Sequence, residues 1–322
     1  MTLLLRALVT CFKDESWPVR DAACTACGRC VAACPEETRL VLPELYPLWE
    51  AHLWDNIPTV RANAAAALGA CCVAYPEDAP ARCWDIYRRL VTEVDRQPAD
   101  SQRFSSLGAS STFGVAEARR KRANEIDVHE NQQMFSCGSL APKLQRGGGC
   151  MDHGFKRDQE PWEATDGALH LLRALCEASC SGSDLDLVVT ELPRVAQLGI
   201  VATFIHAPLL WETAFGTVAS VARKVPSGRL KPCLPDVLPC LFKGLQCDHP
   251  LAAHAAGGAV AAIRDTIGPN ILNGRLDEAE REVVRRSPYV PAGRGVMVGR
   301  GEGGIGSQGG TSFTGTLPAI RS

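Results

Sequence analysis

The sequence predicts an all-α, right-handed solenoid of about four to five helical pairs, with one long irregular insertion and a disordered C-terminal tail. Three observations predict this fold class. A helical unit near the N-terminus recurs after 41 residues. Alanine is abundant and aromatic residues make up only 6%, which favours closely packed helices with small side chains between them. Apolar residues recur at spacings of three and four, which is typical of helices rather than strands.

The composition of the chain limits the classes of function that the protein can have. The chain has 322 residues, of which 46% are apolar and 22% charged, as in a folded globular protein. Its net charge of −2 argues against nucleic acid or an anionic membrane as a partner. His206, Pro208 and Glu212 interrupt the longest apolar stretch, so no membrane-spanning helix is predicted. We expect the 15 cysteines to be reduced, in the cytoplasm or the nucleus.

The first two helical pairs define the repeat. Residues 14–36 (DESWPVRDAACTACGRCVAACPE) align with residues 55–77 (DNIPTVRANAAAALGACCVAYPE), and ten of the 23 positions are identical. An apolar helical segment precedes each copy, from Leu3 to Phe12 and from Leu42 to Trp54. The unit is therefore a helix, a short turn containing Asp and Pro, a second helix, and a Pro stop.

The turn residues have physical roles that fit this unit. Asp14 and Asp55 can accept hydrogen bonds from free amides at the start of the second helix, and a proline is tolerated in that first turn. Arg20 and Arg61 are expected to tie adjacent repeats together through the turn aspartates. Trp17, Asp55 and Asn56 are also candidate partner contacts.

A period of about 40 residues with two helices per unit is typical of HEAT and armadillo arrays. The Asp-x₄-Val-Arg turn, followed by Ala-x₂-Ala/Leu-Gly, strongly resembles the HEAT repeat. This resemblance implies an α-solenoid with an extended concave surface for protein partners. The stretches CGSLAPKLQRGGGCMDHGF and EPWEATDGA also resemble an uncharacterised group of eukaryotic HEAT-repeat proteins, in which a cysteine is expected where His153 stands; that resemblance implies no activity.

Later segments continue the array. Residues 160–180 and 188–225 have helical spacing, and residues 233–268 repeat the pattern of an apolar helix followed by an alanine-rich one. We therefore predict repeats over 1–95, an irregular insertion over 96–159, repeats over 160–276, and a charged, then glycine-rich, disordered tail over 277–322. The apolar first helix lacks a polar outer face, so we expect it to be covered by a partner or poorly ordered.

Two cysteine patterns suggest a metal-binding protein as the alternative function. Cys24, Cys27, Cys30 and Cys34, followed by Pro35, have the C-x₂-C-x₂-C-x₃-C-P spacing of a 4Fe-4S ferredoxin. They fall within a repeat helix, however, where spacings of three and four also form a helix stripe. We therefore favour buried thiols over a cluster.

Zinc in the insertion is the second metal hypothesis. Cys137, Cys150 and His153 lie between glycine-rich segments, and these residue types suit tetrahedral zinc. Three ligands are fewer than the four of a structural site, and an irregular loop with incidental thiols remains the preferred interpretation. No cofactor is therefore expected.

Three sequence motifs that are typical of enzymes do not occur in the chain. It contains no G-x-S-x-G, no phosphate-binding G-x₄-G-K-[ST] and no H-E-x₂-H. We therefore predict a non-catalytic scaffold or adaptor that binds protein partners. Tubulin is a further candidate partner because Trp17 resembles a turn residue of TOG-type HEAT domains, but Asp55 stands in the second turn, where those domains are basic.

Overall fold

The computed structural model describes residues 2–99, 159–179, 182–201 and 204–291. Within these ranges the chain is helical and contains no strand. The α-helices, in chain order, are α1 (Thr2–Cys11), α2 (Trp17–Ala33), α3 (Pro35–Arg39), α4 (Leu42–His52), α5 (Pro58–Ala74), α6 (Ala79–Leu90), α7 (Pro161–Ala178), α8 (Gly182–Leu198), α9 (Ala207–Lys224), α10 (Ser227–Leu230), α11 (Leu234–Leu245), α12 (Pro250–Ile267), α13 (Pro269–Asn273) and α14 (Glu278–Arg286). Two 3-10 helices, η1 (Glu93–Arg96) and η2 (Lys231–Cys233), complete the set.

The long helices form five pairs. We call α1, α4, α6, α8 and α11 the first helices, and α2, α5, α7, α9 and α12 the second helices; each first helix packs on the second helix of its own pair. The second helices also pack on one another in chain order, from α2 through to α12. This arrangement confirms the predicted helical-repeat solenoid within the described ranges.

The 41-residue repeat is visible in the backbone. Pro18 and Pro58 lie in the first turns of α2 and α5, where the missing amide has no helical partner to lose. Cys34 and Tyr75 end these helices with nearly the same dihedral angles, φ −138°, ψ 65° and φ −133°, ψ 67°. Two segments with the same sequence pattern therefore begin and end alike.

The core lies between the first and second helices and is continuous along the array. Both layers supply large buried side chains: Trp49 and Tyr87 lie on first helices, and Leu169 and Phe215 lie on second helices. The second helix α5 also contributes many alanine and cysteine side chains. These small side chains allow α5 to lie close to its neighbours.

The third pair contains the long insertion. Its first helix is α6 and its second helix is α7, so residues 100–158 fall between the two helices of one repeat. Hydrogen bonds join the two segments of chain on either side of the insertion, and we call this set of bonds the clamp. The Gln97 amide donates to the Glu160 carboxylate at 3.0 Å and accepts from the Trp162 amide at 3.2 Å. Thr165 accepts from the Val94 amide at 2.9 Å.

The helical region extends beyond residue 276, where the sequence places the start of the tail. Helix α14 begins with a capping box, in which Asp277 and Glu280 bond to each other's backbone amides at 2.8 and 2.9 Å. It packs on α11, as the first helix of a sixth pair would. The segment that follows, which we call the strap (residues 287–291), lies on the outer side of α12.

The strap closes the C-terminal end of the stack. A Cβ on Gly257 of α12 would lie 2.1 Å from the carbonyl oxygen of Tyr289, so glycine is needed for this close approach. The Tyr289 ring packs edge-on against His254, and Arg264 donates to the Pro291 carbonyl at 2.7 Å. The strap therefore covers the side of α12 on which a further second helix would pack.

Among the described helices, none combines the length and the apolar character needed to span a bilayer.

Candidate protein-interaction surface

The aspartates of the first two turns make the same local hydrogen bond. Asp14 Oδ1 accepts from the Ser16 amide at 2.8 Å, and Asp55 Oδ1 accepts from the Ile57 amide at 2.9 Å. Each bond satisfies an amide just before the second helix. Their positions are 41 residues apart, so the sequence repeat is also a repeat of hydrogen bonding.

Arg20 and Arg61 join successive repeats. Arg20 Nε donates to Asp55 at 2.9 Å, and its Nη1 donates to the Asp14 carbonyl at 3.1 Å. Arg61 Nη1 donates in the same way to the Asp55 carbonyl at 2.8 Å, and its Nε donates to Asp166 of α7 at 2.7 Å. Each guanidinium thus binds its own turn and a carboxylate of the next repeat.

The second of these ion pairs is deeply buried. The side chains of Arg61 and Asp166 are 2% and 3% exposed, and Arg61 also lies over the Trp162 ring, 5.3 Å from its centre. Burial alone would raise the pKa of Asp166, but the charges of Arg61 and His170 lower that pKa well below its usual range. The carboxylate therefore stays ionised inside the protein.

These geometries leave little of the predicted turn residues on the surface. Asp55 and Arg61 are buried, Arg20 is half-buried, and Trp17 is half-buried against the core. Asp14 is exposed. The sequence predicts that both arginines pair with aspartates of the turns, whereas the carboxylate that Arg61 binds is that of Asp166, within α7. That Trp17, Asp55 and Asn56 contact a partner stays a prediction.

The ferredoxin-like cysteines lie along α2 and its C-terminal end. Cys24 and Cys27 are buried, and Cys30 and Cys34 are half-buried. Burial raises the pKa of Cys27 to about 12 and that of Cys24 further, which disfavours the thiolate form that ligates iron. In the described ranges no group of three or more His, Cys, Asp or Glu side chains is arranged to hold a metal ion. Cys137, Cys150 and His153 lie outside those ranges.

The second helices together present one solvent-facing surface, which we call the second-helix face. This face contains a shallow groove of about 360 Å³ between α5 and α7. The lining is mostly small and apolar, with three polar side chains on α7. The lining residues are Ala62, Ala66, Gly69, Ala70, Val73, His170, Arg173, Ala174, Glu177 and Ala178.

Small residues bring α5 and α7 together beneath this groove. A Cβ on Gly69 would lie 2.8 Å from the Cβ of Ala174, closer than carbon atoms normally approach. Val73 stands on the rim with its side chain 65% exposed. An exposed aliphatic side chain beside a floor of alanines offers contact area for an apolar group of a partner.

Arg173 is the fixed cation of the groove. Its Nε donates to Thr217 of α9 at 2.8 Å, and its Nη2 donates to the Thr213 carbonyl. Burial lowers the pKa of Arg173, against the charges of Asp166, Glu212 and Glu177. The side chain thus joins α7 to α9 while lining the groove.

Sequence reasoning does not identify the groove. Val73 lies in α5 and Arg173 lies in α7, and the insertion separates these two helices in the sequence. Residues that face each other across the two helices, such as Arg61 and Asp166, are therefore 105 positions apart. The sequence shows an alanine-rich helix that contains Val73. It does not show which helix lies opposite.

Comparisons with known proteins bear on part of the chain. The HEAT repeat family model matches residues 4–34, which include most of α1 and all of α2. No curated protein matches the sequence.

Solved structures offer distant likenesses. Two crystal structures of engineered proteins from the Northeast Structural Genomics Consortium are similar to the chain. One has a TM-score of 0.40 and 12% identity, covering 89% of this chain and 87% of that one. The other has a TM-score of 0.38 and 11% identity, covering 89% and 94%. The repeated turn geometry and the stacked helical pairs make the described part of the chain a helical-repeat solenoid, and its residues 4–34 are similar to the HEAT repeat.

Proposed function

We propose that the protein is a non-catalytic scaffold or adaptor that binds a protein partner on its second-helix face. The observation that carries the proposal is the uninterrupted stack of second helices, with an alanine-lined groove between α5 and α7. Solenoids of stacked repeats use such extended surfaces for binding. The turn arginines favour this face over the turns, because their guanidinium groups are already bound to aspartates.

Site-specific photo-crosslinking in cells tests the proposal. A photoreactive amino acid at Ala66, on the groove, is compared with one at Ala81, which is exposed on the first helix α6. We expect a discrete protein adduct from position 66 that position 81 does not give. Binding of the partner identified in this way should then be weakened by Ala66→Arg and retained by Ala81→Arg. Equal adducts from both positions, or equal effects of both variants, contradict the proposal.

We also propose that the protein acts in a reducing compartment, the cytoplasm or the nucleus. The twelve described cysteines, most of them buried in the helical core, support this placement because all are free thiols. Alkylation of the denatured protein without a reductant tests it, with mass spectrometry counting the modified thiols. A count that rises when a reductant is added would indicate disulfides and oppose the proposal.

A further inference from the structure

Two thiols lie together where the second helical pair packs on the third. Cys72 is near the end of α5 and Cys83 is in α6, and both side chains are buried in the core between the first and second helices. Neither of them lines the groove of the second-helix face. Because α6 packs on α5, a covalent bond between these thiols would join the second pair directly to the third.

The backbone of α5 indicates how close the two sulfur atoms are. Cys83 donates from its Sγ to the Leu68 carbonyl oxygen at 3.8 Å. Cys72 follows Leu68 by one helical turn, and a side chain in an α-helix leans back over the turn that precedes it. The Cys72 side chain is therefore directed toward Cys83, and the two groups are near enough to form a side-chain hydrogen bond.

This contact makes Cys72 chemically different from the cysteine beside it. The hydrogen bond with Cys83 lowers the pKa of Cys72, and burial, which acts in the opposite direction, is the smaller influence. Burial instead dominates at Cys71 and raises the pKa of that thiol to about 12. Since the thiolate is the form that attacks an oxidant, Cys72 is the more reactive of these two neighbours.

We propose that Cys72 and Cys83 form a reversible disulfide when the protein meets hydrogen peroxide. An oxidant this small is required, because Cys72 is only 5% exposed and Cys83 is 0% exposed. The site lies in the core, so the proposal does not depend on whether the groove binds a partner.

The reaction has two steps. The Cys72 thiolate attacks one peroxide oxygen, the O–O bond breaks, hydroxide leaves, and Cys72 becomes a sulfenic acid. The Cys83 sulfur then attacks the Cys72 sulfur, the S–S bond forms, and the sulfenic hydroxyl leaves as water with the proton of Cys83. Hydroxide and the proton that Cys72 first lost make a second water. Two thiols are thus oxidised by two electrons, and one peroxide is reduced to two waters.

Tryptic digestion makes this bond measurable. Cleavage at arginine places Cys71 and Cys72 on residues 62–82 and Cys83 on residues 83–88. The reduced full chain is treated with hydrogen peroxide at neutral pH, its remaining thiols are alkylated in denaturant, and the digest is analysed by mass spectrometry. We expect the two peptides to be joined by a bond that dithiothreitol reverses.

Cys71→Ala and Cys72→Ala are the matched variants, because the two positions are adjacent on α5 and both are buried. Cys71→Ala should keep the joined peptides, whereas Cys72→Ala should lower their yield at least about tenfold. In Cys83→Ala the sulfenic acid has lost its partner thiol, so dimedone should label residues 62–82 after peroxide treatment. Circular dichroism establishes that each variant is folded.

A wild-type chain in which the two peptides stay separate after peroxide treatment overturns the proposal. So does an equal yield of joined peptides from Cys71→Ala and Cys72→Ala, because the bond would then not depend on Cys72. A Cys83→Ala chain that dimedone leaves unlabelled on residues 62–82 also contradicts it.

Discussion

Arg61 is the residue on which the joint between the second and third repeats depends. Its guanidinium binds the Asp55 carbonyl and the buried Asp166 carboxylate, and it lies over Trp162. Replacing a buried ion pair with apolar residues is often neutral, but removing one partner leaves an uncompensated charge. The loss of stability on removing Arg61 therefore comes mainly from leaving the Asp166 carboxylate buried without its partner.

Arg61→Ala should lower the free energy of unfolding by about 3–5 kcal/mol, because Asp166 would stay buried without its guanidinium. Urea denaturation followed by circular dichroism measures this loss. Arg20→Ala is the control one repeat earlier, since Arg20 and Asp55 are 17% and 8% exposed and can be hydrated more readily. A loss for Arg20→Ala that equals or exceeds the loss for Arg61→Ala would refute this ranking.

Asp166 should make stability depend on pH in the acid range. The pKa of Asp166 lies well below its usual range in the folded protein, whereas an unfolded aspartate has a pKa of about 3.9. The ionised carboxylate therefore contributes stability above that pH, and this contribution is lost as the pH falls toward the folded pKa. The charged or titratable groups that set the shift are Arg61 and His170.

Asp166→Asn should consequently lose less of its remaining stability than the wild type between about pH 6 and about pH 3. The urea midpoint at each pH measures the difference. Asp85→Asn serves as the control because the Asp85 side chain is 72% exposed, and it should keep the wild-type slope. An acid slope in Asp166→Asn equal to that of the wild type would show that another carboxylate dominates.

At the scale of the helices, glycine fixes how closely the second helices approach. A Cβ on Gly69 would meet Ala174 at 2.8 Å, whereas a Cβ on Gly258 of α12 would meet nothing within 4 Å. The two glycines lie in helices of the same layer and differ in their surroundings. This pair separates the packing cost of a methyl group from its effect on helix propensity.

Gly69→Ala should destabilise the protein by about 1–3 kcal/mol through overpacking, despite the better helix propensity of alanine. Gly258→Ala should stabilise it by up to about 1 kcal/mol, because only the propensity changes. Thermal unfolding of the two variants and the wild type measures the sign of each change in stability. If both variants were more stable than the wild type, the α5–α7 contact would relax at little cost.

The clamp at the base of the insertion should hold α6 and α7 together without the residues between them. Besides the Gln97 and Thr165 contacts, the Trp54 ring donates to the Glu160 carbonyl at 2.8 Å. Replacing residues 99–158 with a four-residue Gly-Ser linker, which spans up to about 14 Å, should leave the helical content and the cooperative transition in place.

Gln97→Ala in the shortened chain is the matched variant, because it removes two bonds of the clamp. It should lower the melting temperature of the shortened chain. Circular dichroism melts compare the two. A shortened chain that loses its cooperative transition would show that the clamp does not suffice to hold the third pair.

For the whole molecule, stability should be distributed as in other repeat arrays, where each unit is stabilised by its neighbours. The strap supplies a neighbour for α12, and Tyr289 and Val290 are half-buried against the core. A chain that ends at Pro291 keeps this cover, and a chain that ends at Arg286 loses it. The two chains differ in the strap alone.

The chain ending at Arg286 should be less stable than the chain ending at Pro291 by about 1–3 kcal/mol, from the apolar area that is exposed. Hydrogen exchange should locate the change in α12. Equal stability of the two chains would mean that the strap contributes nothing to the closed end.

The sequence predicts the repeated part of this fold better than the part that departs from the repeat. The offset between Asp14 and Asp55 predicts the turns, and both make the same hydrogen bond. Asp166 is not identified as the partner of Arg61, because the insertion interrupts the period and places the two residues 105 positions apart. Helix α14 also escapes prediction, since its charged sequence has no fully buried residue to produce an apolar stripe.

The clamp at the insertion also has a kinetic consequence. Gln97 and Glu160 are 63 positions apart, and bringing such distant segments together costs about 3–4 kcal/mol of chain entropy. Contacts between repeats within α1 to α6 close shorter separations, such as the 35 positions between Arg20 and Asp55, and cost somewhat less. Shortening the loop should therefore accelerate refolding by making the docking of α7 easier, while unfolding proceeds at nearly its original rate.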